Sequence, residues 1–343
     1  MKTAFITGIA GQDGAYLAKL LLEKGYRVIG GDRRTSRNSY WRLDELGIRN
    51  EIETVYLELH EPTNIQRMIE KFEPSEIYNL AAQSFVSASF EMPLLTTDVT
   101  GIGVLRMLEA VRQVNPETKF YQASTSEMFG QVRQVPQNEE TPFYPRSPYG
   151  TAKLFAHWST INYREAHGMF AVSGILFNHE SPLRSREFVS RKITSTLADI
   201  KNGAERTLEL GNLDAKRDWG FAGDYVEGMW LMMQRPEPGD YVLATGENHS
   251  VREFVNLSAR HFGFEPVWEG KGTEEKATDG KTGREIVRVN PEFFRPAEVR
   301  ELIGDASKAK AELGWKPGVS FEKLVEMMCE SELKRRPTEV SGD

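Results

Sequence analysis

The chain has 343 residues and a formal net charge of −7, so it is long enough for one large or two smaller domains with a sizeable core. An acidic balance argues against nucleic acid or an anionic membrane as the main partner. Its single cysteine, Cys329, excludes an internal disulfide and predicts a reduced, cytoplasmic setting. No run of about 18 apolar residues occurs, so we predict no membrane span. We also predict no metal site.

The N-terminal residues predict a dinucleotide-binding βαβ unit. Residues 3–7 form an apolar strand pattern that leads directly into a glycine turn, which indicates a first strand and not a signal peptide. Gly8, Gly11 and Gly14 follow with the spacing G-x-x-G-x-x-G, and a helix pattern covers residues 16–24. Glycines permit a tight turn and the close approach of a pyrophosphate to a helix N-terminus. The alternative is a plain strand–helix turn.

Charged residues after the second predicted strand, residues 26–30, give opposing signals about the cofactor. Asp32 is followed by Arg33 and Arg34. An acid at this place normally holds the ribose 2′-OH of NAD, whereas arginines suit the 2′-phosphate of NADP. We favour NADP, because a single carboxylate can rotate away from the nucleotide more easily than two guanidiniums can remain without a role in binding it. The alternative for the arginine pair is a solvated charge run.

The pattern continues as alternating strands and helices, which predicts an α/β fold. Regular βα alternation indicates a Rossmann-like, doubly wound parallel sheet with helices on both faces. Further strands are predicted at residues 52–59, 76–80, 119–123 and 171–177, and helices at residues 63–72 and up to about 115. In such sheets ligands bind outside the carboxyl ends of the strands. The residues that follow strand ends are Gly8, Arg33, Ala81, Thr125 and Asn178.

A hydroxyl-rich strand end and the helix start that follows it carry the candidate chemistry. Thr125 and Glu127 come directly after the strand at residues 119–123. A Pro-rich loop then leads to Ser147, a predicted N-cap, and to Pro148 at the first helical position. The Thr-x-Glu stretch and the helix start together predict an active site.

Tyr149 and Lys153 lie four residues apart, so they share one face of this predicted helix. An ammonium beside a phenol favours the phenolate, and we expect it to lower the pKa of Tyr149 from about 10 towards neutrality. Tyr149 would then serve as a general base for a sugar or alcohol hydroxyl. The alternative is a solvated pair at a helix N-terminus.

After residue 178 the alternation becomes irregular, which predicts a second, smaller, discontinuous α/β domain over the strand ends. Within it we expect helices and a charged Gly/Lys loop at residues 269–284. The predicted division is residues 1–178 and 215–246 for the cofactor domain, 179–214 and 247–336 for the second, substrate-binding domain, and 337–343 for a polar tail. Cations that can hold a diphosphate there, or else are surface charges, are Lys192, Lys216, Arg217 and Arg295.

Seven stretches resemble a known family over nearly the whole chain. They are TGIAGQDGAYL at 7–17, YNLAAQS at 78–84, FYQASTSE at 120–127, TPFYPRSPY at 141–149, ILFNHESP at 175–182, RDWGF at 217–221 and FRPAEV at 294–299. The chain thereby resembles the extended short-chain dehydrogenase/reductase family and, within it, the GDP-mannose 4,6-dehydratase family. The resemblance implies NADP, tightly bound and regenerated at each turnover, and GDP-mannose as the substrate.

The resemblance also implies roles for individual residues. The catalytic set is Thr125, Glu127, Tyr149 and Lys153. The cofactor-binding set is Gly8, Gly11, Gln12, Asp13, Gly14, Arg33, Arg34, Glu58, Leu59, Leu80, Ala81, Ala82, Ser84, Tyr149, Lys153, His179 and Arg184. The substrate-binding set is Ser84, Thr125, Glu127, Asn178, Lys192, Gly211, Asn212, Arg217, Arg295 and Glu298. Two departures from the family are Asp32 before the arginine pair and Glu58, where an Asp is frequent.

The reaction that this resemblance implies is an internal hydride transfer. Tyr149 takes the 4-OH proton while hydride leaves C4, and Thr125 hydrogen-bonds the C4 oxygen. Glu127 removes the C5 proton and helps water leave from C6, where the hydride returns. Related dTDP-glucose dehydratases have an Asp where this chain has Ser126, so Glu127 must serve as both base and acid.

Two other classes of function stay open at this point. A 4-epimerase or 4-reductase on the same scaffold needs Tyr149 and Lys153, but no carboxylate two residues after Thr125. A non-catalytic nucleotide sensor needs neither Tyr149 nor Lys153. Glu127 therefore favours the dehydratase.

The segment 33–42 predicts an assembly contact. It contains four arginines together with Tyr40 and Trp41, and arginine, tyrosine and tryptophan are enriched at interfaces. In the family that the chain resembles, this loop faces a neighbouring subunit's cofactor, so we expect a homotetramer that forms through it. The alternative is a mobile surface loop.

Overall fold

The computed structural model describes residues 1–36, 38–293 and 301–335. Its strands are β1 (Thr3–Thr7), β2 (Arg27–Asp32), β3 (Glu53–Tyr56), β4 (Glu76–Asn79), β5 (Lys119–Thr125), β6 (Ala171–Leu176), β7 (Asn178–Glu180), β8 (Leu208–Leu210), β9 (Lys216–Arg217), β10 (Trp219–Phe221), β11 (Asp240–Leu243), β12 (His249–Ser250), β13 (Pro266–Glu269), β14 (Lys276–Asp279), β15 (Glu285–Val289) and β16 (Glu301–Leu302). Arg295, Glu298 and the predicted tail lie outside the described residues.

The helices are α1 (Gln12–Glu23), α2 (Trp41–Glu45), α3 (Pro62–Phe72), α4 (Val86–Glu91), α5 (Pro93–Thr97), α6 (Gly103–Val114), α7 (Pro148–His167), α8 (Val189–Lys201), α9 (Ala222–Met233), α10 (Val251–His261), α11 (Ser307–Leu313) and α12 (Phe321–Lys334). A π-helical turn at Asp98–Ile102 joins α5 to α6. No described helix is both long and apolar enough to cross a membrane. The described residues also contain no cluster of three or more His, Cys, Asp or Glu side chains suited to a metal.

Seven parallel strands form the central sheet, in the order β3-β2-β1-β4-β5-β6-β11. This arrangement confirms the predicted Rossmann-like fold. The strand order reverses between β1 and β4, and a ligand crevice opens at such a point. There the Thr7 hydroxyl donates to the Asn79 side chain over 2.8 Å. It also accepts the backbone N–H groups of Leu80 and Ala81 over 3.0 Å each.

The first βα unit forms as the glycine pattern predicts, although α1 begins at Gln12, four residues before the predicted start at residue 16. Its buried face, which includes Leu17 and Leu21, packs towards the sheet. A Cβ atom on Gly14 would lie 2.5 Å from the Gly8 carbonyl oxygen, so only glycine permits the helix to start this close to the turn.

A smaller unit of three helices and a mixed sheet lies beside the central sheet. Its strand order is β13-β14-β15-β8, with β15 and β8 parallel and the other pairs antiparallel. Side chains from α8, α10 and α12 fill its core against these strands, among them Ile193, Phe254 and Leu324. Cys329 of α12 is buried in the same core.

The prediction of a loop over residues 269–284 was wrong in part, because this stretch contains strand β14. Ala277 and Asp279 alternate inward there, and β13 and β15 pair with it on either side. The Asp279 carboxylate accepts the backbone N–H of Glu265 over 2.9 Å and so joins the end of the hairpin to β13. The charged residues of β14 concealed this pattern in the sequence.

Candidate active site

Strand β5 and the turn after it present the first two predicted catalytic side chains. Thr125 is the last residue of β5, and Glu127 lies in the 3-10 turn Ser126–Met128. The Thr125 side-chain oxygen accepts the backbone N–H of Glu127 over 3.3 Å, which caps this turn. Behind the strand, the Ser124 hydroxyl lies 3.0 Å from Nδ1 of the buried His157. The Thr125 hydroxyl and the Glu127 carboxylate are therefore held at one edge of the sheet.

Helix α7 begins as predicted and brings its N-terminus against this turn. Ser147 is the N-cap, its side chain accepts the N–H of Gly150 over 3.0 Å, and Pro148 takes the first helical position. A Cβ atom on Gly150 would lie 2.8 Å from the carbonyl oxygen of Glu127. The missing side chain at Gly150 thus permits α7 to approach the Glu127 turn closely.

Tyr149 and Lys153 extend from α7 into this site and are 8% and 4% exposed. The Tyr149 hydroxyl and the Thr125 side chain share a hydrogen bond. Lys153 Nζ donates to the carbonyl oxygen of Ala123 over 2.7 Å and lies 5.8 Å from the centre of the Tyr149 ring. The structure therefore brings Thr125, Glu127, Tyr149 and Lys153 together, as the sequence predicts.

The expected lowering of the Tyr149 pKa was wrong for this arrangement. Burial raises the pKa of Tyr149 above its usual value, the Glu127 carboxylate raises it further, and the hydrogen bond to Thr125 offsets only part of the effect. Burial also lowers the pKa of Lys153 to about 8, which Asp13 only partly opposes. The Lys153 ammonium is hydrogen-bonded to the Ala123 carbonyl oxygen, so it contributes little to the acidity of the Tyr149 phenol.

The glycine turn forms a cradle at the strand-order reversal. Gly8 has φ +71°, and a Cβ atom there would lie 3.0 Å from the backbone of Ala81. Gly11 is the N-cap of α1 and supplies no capping side chain. Open N–H groups at a helix N-terminus beside a closely approached backbone suit a pyrophosphate. Leu80 and Ala81 form the opposite wall, through their hydrogen bonds to Thr7.

Two carboxylates and two arginines surround the end of β2, where a dinucleotide's adenosine belongs. Asp32 accepts the Arg33 N–H over 3.0 Å, and Arg33 and Arg34 are exposed. Burial raises the pKa of Asp32, and the neighbouring Glu58 carboxylate adds to the rise. Leu59 is 5% exposed and packs beside Glu58. The polar residues Asp32, Arg33, Arg34 and Glu58 thus lie together at the end of β2.

A buried ion pair joins the start of α1 to strand β7. His179 Nδ1 faces the carbonyl oxygen of Phe177 at 2.7 Å, and its Nε2 faces the Asp13 carboxylate at 2.9 Å. Both ring nitrogens therefore donate, which describes an imidazolium. Burial lowers the pKa of His179, but the charge of Asp13 and its hydrogen bond raise the pKa overall. Gln12 adds a 2.8 Å hydrogen bond to the His179 carbonyl oxygen.

Arg184 lies next to this ion pair and is held by two neighbours. Its Nε atom is 3.1 Å from the Glu180 carboxylate, and its guanidinium lies 3.5 Å above the centre of the Phe188 ring. The charge of Arg184 also helps to lower the pKa of Asp13. The predicted residues His179 and Arg184 therefore add two cations beside the glycine turn.

Predicted substrate residues meet on the other unit. Lys192 Nζ lies 4.1 Å from the centre of the Phe293 ring. A Cβ atom on Gly211 would lie 2.3 Å from the Phe293 carbonyl oxygen, so glycine is required for this approach. Asn212 follows directly and accepts the N–H of Asp214 over 3.0 Å. These residues form one wall of that unit. Arg295 and Glu298 lie outside the described residues, so their predicted roles stay predictions.

The paired strands β7 and β10 carry further predicted residues. Asn178 lies opposite Trp219, two residues after Arg217. The Arg217 guanidinium donates to the Lys216 carbonyl oxygen over 2.7 Å. At the end of β4, Ala82 is half-buried and Ser84 is exposed. Binding roles for Asn178, Arg217, Ala82 and Ser84 stay predictions.

Arg42 was counted among the four arginines of the predicted assembly segment, but the structure places it inside its own chain, where it connects the glycine turn to the Arg184 loop. It is 8% exposed and donates to the carbonyl oxygens of Leu183 and Ala10, over 2.7 and 2.8 Å. A third bond of 2.7 Å reaches the Ser185 hydroxyl. Its partners are up to 143 residues away in the chain, so no local pattern reveals its role.

Comparisons with known proteins show the family to which the chain belongs. The family model described as GDP-mannose 4,6 dehydratase matches residues 5–328. The GDP-mannose 4,6-dehydratase of Vibrio cholerae serotype O1 is 51% identical and is aligned over 97% of this chain and 94% of its own length. The human GDP-mannose 4,6 dehydratase is also 51% identical, over 96% of this chain and 91% of its own length.

Solved structures show the same fold at low sequence identity. The UDP-glucose 4-epimerase of Thermus thermophilus, in complex with NAD, has a TM-score of 0.80 and 24% identity, over 97% of this chain and all of that one. The dTDP-glucose 4,6-dehydratase DesIV of Streptomyces venezuelae has a TM-score of 0.81 and 20% identity, over 96% of each chain.

Proposed function

The chain belongs to the GDP-mannose 4,6-dehydratase family, and on that premise we propose how its own residues carry out the reaction. The enzyme converts GDP-mannose to GDP-4-keto-6-deoxymannose and water, a step in deoxysugar biosynthesis. The observation that carries this proposal is the meeting of Thr125, Glu127, Tyr149 and Lys153 beside the glycine turn.

The crevice fits NADP, the cofactor of this family. The backbone contact between Gly8 and Ala81 leaves no room for a Cβ atom, which is the cradle that a pyrophosphate requires. Arg33 and Arg34 stand at the end of β2, where the 2′-phosphate belongs. When bound, NADP supplies a hydride acceptor for C4 and a hydride donor for C6, together with a cationic ring that lowers the pKa of a nearby phenol.

The first half of the reaction belongs to Tyr149 and Thr125. Tyr149 accepts the proton of the sugar 4-hydroxyl as the C4 hydride leaves, so C4 becomes a ketone. Thr125, which is already hydrogen-bonded to the phenol, orients the C4 oxygen. Lys153 fixes α7 against β5 through the Ala123 carbonyl oxygen and keeps a positive charge near the phenol below a pH of about 8.

The second half belongs to Glu127. The C4 ketone acidifies the C5–H bond, and the Glu127 carboxylate removes that proton. The resulting carboxylic acid then protonates the C6 hydroxyl, which leaves as water and gives a C5–C6 double bond conjugated with the ketone. Hydride addition at C6 and transfer to C5 of the proton that Tyr149 took from the 4-hydroxyl complete the product and restore the site, so one water is lost and no net oxidation occurs.

We assign the GDP part of the substrate to the smaller unit. Lys192 packs against Phe293, which also closely approaches Gly211, and is the cation that we assign to the diphosphate. Arg217, Asn178 and Asn212 are the further candidate contacts, and cations there offset the acidic charge of the chain. In this proposal the unit formed by 179–214 and 247–336 binds the sugar nucleotide, while 1–178 and 215–246 bind NADP.

Glu127 separates this function from a 4-epimerase or 4-reductase on the same scaffold. Those reactions remove no proton from C5 and lose no water, so they do not require the carboxylate that lies beside Tyr149. A non-catalytic nucleotide sensor has no need of the buried Tyr149 and Lys153. Incubation with GDP-mannose distinguishes the three, by the mass of the product and by the absorbance of free reduced cofactor.

The dehydratase gives a product lighter by one water, and no reduced cofactor accumulates. An unchanged mass with a new isomer would indicate an epimerase. No change in the nucleotide at all would indicate the sensor. Stoichiometric accumulation of NADPH, with a product that has lost two further hydrogens, would overturn the internal hydride transfer.

We also propose a homotetramer in the cytoplasm, in which both the 33–42 loop and an apolar face take part. The apolar face consists of Leu94 and Leu95 of α5, Ile102, and Phe155 and Trp158 of α7, which are 38–84% exposed. In the loop, Trp41 packs against Arg42 of its own chain at 4.3 Å, and Tyr40 packs against Arg49 at 4.1 Å. Tyr40 and Trp41 are thus engaged within their own chain, whereas Arg33 and Arg34 are exposed and accessible to a neighbouring subunit.

A further inference from the structure

We propose that Ser39 sets the cofactor preference by holding the Asp32 carboxylate against its own loop, which leaves Arg33 and Arg34 to receive the 2′-phosphate. This inference rests on the proposed use of NADP and adds a specificity-determining pair that the reaction chemistry does not require. Asp32 alone predicts NAD, so the structure must supply a reason why NADP is bound.

Both oxygens of the Asp32 carboxylate accept a hydrogen bond from the segment that follows it. Oδ1 accepts the backbone N–H of Arg33 over 3.0 Å, and Oδ2 accepts the Ser39 hydroxyl over 3.2 Å. The carboxylate is thus aligned with the loop from both sides. To turn both oxygens towards the hydroxyls of a ribose, the carboxylate would have to rotate away from Ser39 and give up that bond.

The loop that carries Ser39 is fixed at its far end. Asn38 accepts the N–H of Tyr40 over 3.2 Å, and this turn directs Ser39 back towards Asp32. The Tyr40 ring lies 4.1 Å from the Arg49 guanidinium, and its hydroxyl hydrogen-bonds Thr54 of β3. The Ser39 hydroxyl is therefore presented by an anchored turn.

The charges around this place explain why such a restraint is useful. Asp32 and Glu58 are close enough that the Glu58 charge raises the pKa of Asp32, in addition to the larger effect of burial. A dianionic 2′-phosphate between two unrestrained carboxylates would be repelled by both. With Asp32 bonded to Ser39 and Arg33, the exposed guanidiniums of Arg33 and Arg34 are the charges nearest to the phosphate, and bidentate pairing is available.

A double-mutant cycle on the full-length, nucleotide-free chain tests the pair. Dissociation constants for NADP+ and NAD+ are measured by titration calorimetry for the parent, Ser39→Ala, Asp32→Asn and the double variant. We expect Ser39→Ala to reduce the preference for NADP+ about tenfold, the order of one hydrogen bond to a charged group. Asp32→Asn removes the negative charge that repels a 2′-phosphate, so it increases the preference for NADP+. In the Asp32→Asn background, Ser39→Ala has no further effect.

Two controls separate this role from damage to the loop. Ser39→Thr keeps the hydroxyl and retains the parent preference. Ser36→Ala makes the same chemical change at an exposed position of the same loop and leaves both affinities unchanged. The same series with adenosine 2′,5′-bisphosphate and adenosine 5′-phosphate tests the adenosine end alone, so the answer does not depend on the dehydration of GDP-mannose.

The inference is overturned if Ser39→Ala changes the affinity ratio by less than twofold, or if it changes the ratio equally in the Asp32→Asn background. The first result would show that Asp32 is held away without Ser39. The second would show that Ser39 acts on the nucleotide through another group.

Discussion

Lys153 Nζ donates its 2.7 Å hydrogen bond to the carbonyl oxygen of Ala123, two residues before Thr125 at the end of β5. The lysine therefore joins the catalytic helix to the catalytic strand, and it is not bonded directly to the Tyr149 phenol. Burial lowers the pKa of Lys153 to about 8. The contact between helix and strand therefore depends on a buried charge that costs folding free energy.

The free energy of unfolding should depend on pH because of this buried charge. In the unfolded chain the lysine titrates near 10.5, and in the folded chain near 8, so the folded state binds fewer protons between these values. The destabilising effect is fully present below a pH of about 8 and is lost as the pH rises to 10.5. The shift corresponds to about 3 kcal/mol.

We therefore predict that Lys153→Met, relative to the parent, loses about 3 kcal/mol of unfolding free energy between a pH of about 7 and a pH of about 10.5. Urea unfolding of the nucleotide-free proteins at both pH values measures this difference. Lys271→Met, at an exposed loop position, should track the parent at both. A Lys153→Met variant whose offset from the parent is the same at both pH values would contradict the lowered pKa.

Glu127→Gln should retain the fold and the cofactor but lose dehydration. The isosteric amide cannot accept the C5 proton, and general acid–base groups contribute roughly 10²–10⁴-fold to the rate. Oxidation at C4 should still proceed, so one equivalent of reduced cofactor per site should build up in the absorbance spectrum. A variant whose dehydration rate stays within about threefold of the parent would exclude Glu127 as the acid–base group.

Tyr149→Phe is the matched contrast to Glu127→Gln. It removes the base for the first step, so neither reduced cofactor nor product should appear after GDP-mannose is added. The two variants thus block the reaction at different points, which a merely structural role for either side chain would not produce.

Arg42 should act on nucleotide binding as a positioning residue. Arg42→Ala removes the bonds to Ala10 and to the Arg184 loop, so we predict that the dissociation constant of NADP+ rises about tenfold or more. Added guanidinium ions should restore part of the affinity by filling the site. Calorimetric titration measures both effects.

Arg164→Lys is the control for Arg42. Arg164 is a part-buried arginine that pairs with Asp240 over 2.7 Å at the other end of the sheet. Its substitution should lower stability without weakening NADP+ binding. If Arg42→Ala loses stability but binds NADP+ like the parent, Arg42 only supports the fold.

The apolar face of α5 and α7 should carry an assembly contact. Phe155→Glu combined with Trp158→Glu places two charges on it, so light scattering should show a lower mass than the parent. Val267→Glu, at an equally exposed apolar position of β13, should leave the mass unchanged. A parent-sized assembly for the double variant would exclude this face.

The local signals in the sequence predicted those parts of the fold that local contacts determine. The cap at Ser147 and the turn at Gly8 formed as expected, because their partners lie within a few residues or across adjacent strands. Strand β14 was missed, since its strand character depends on pairing with β13 and β15 and not on its charged sequence.

The pKa shifts in the site were harder to predict than the residues that form it. The motifs and their spacing predicted that Thr125, Glu127, Tyr149 and Lys153 lie together, yet the pKa of Tyr149 moves in the opposite direction from the expectation. The reason is that the phenol is buried, that Glu127 adds a negative charge, and that Lys153 bonds to a strand carbonyl 30 positions earlier in the chain. Arg42 was predicted as part of the assembly segment, and its bonds within its own chain were missed because its partners Ala10, Leu183 and Ser185 are distant in sequence.

Incubation with GDP-mannose that carries deuterium at C4 tests the central claim most directly. If Tyr149 and Glu127 support an internal hydride transfer, the product loses one water and carries the deuterium at C6, as mass spectrometry and NMR will show. Loss of the deuterium to solvent, or its recovery in free reduced cofactor, would contradict the account.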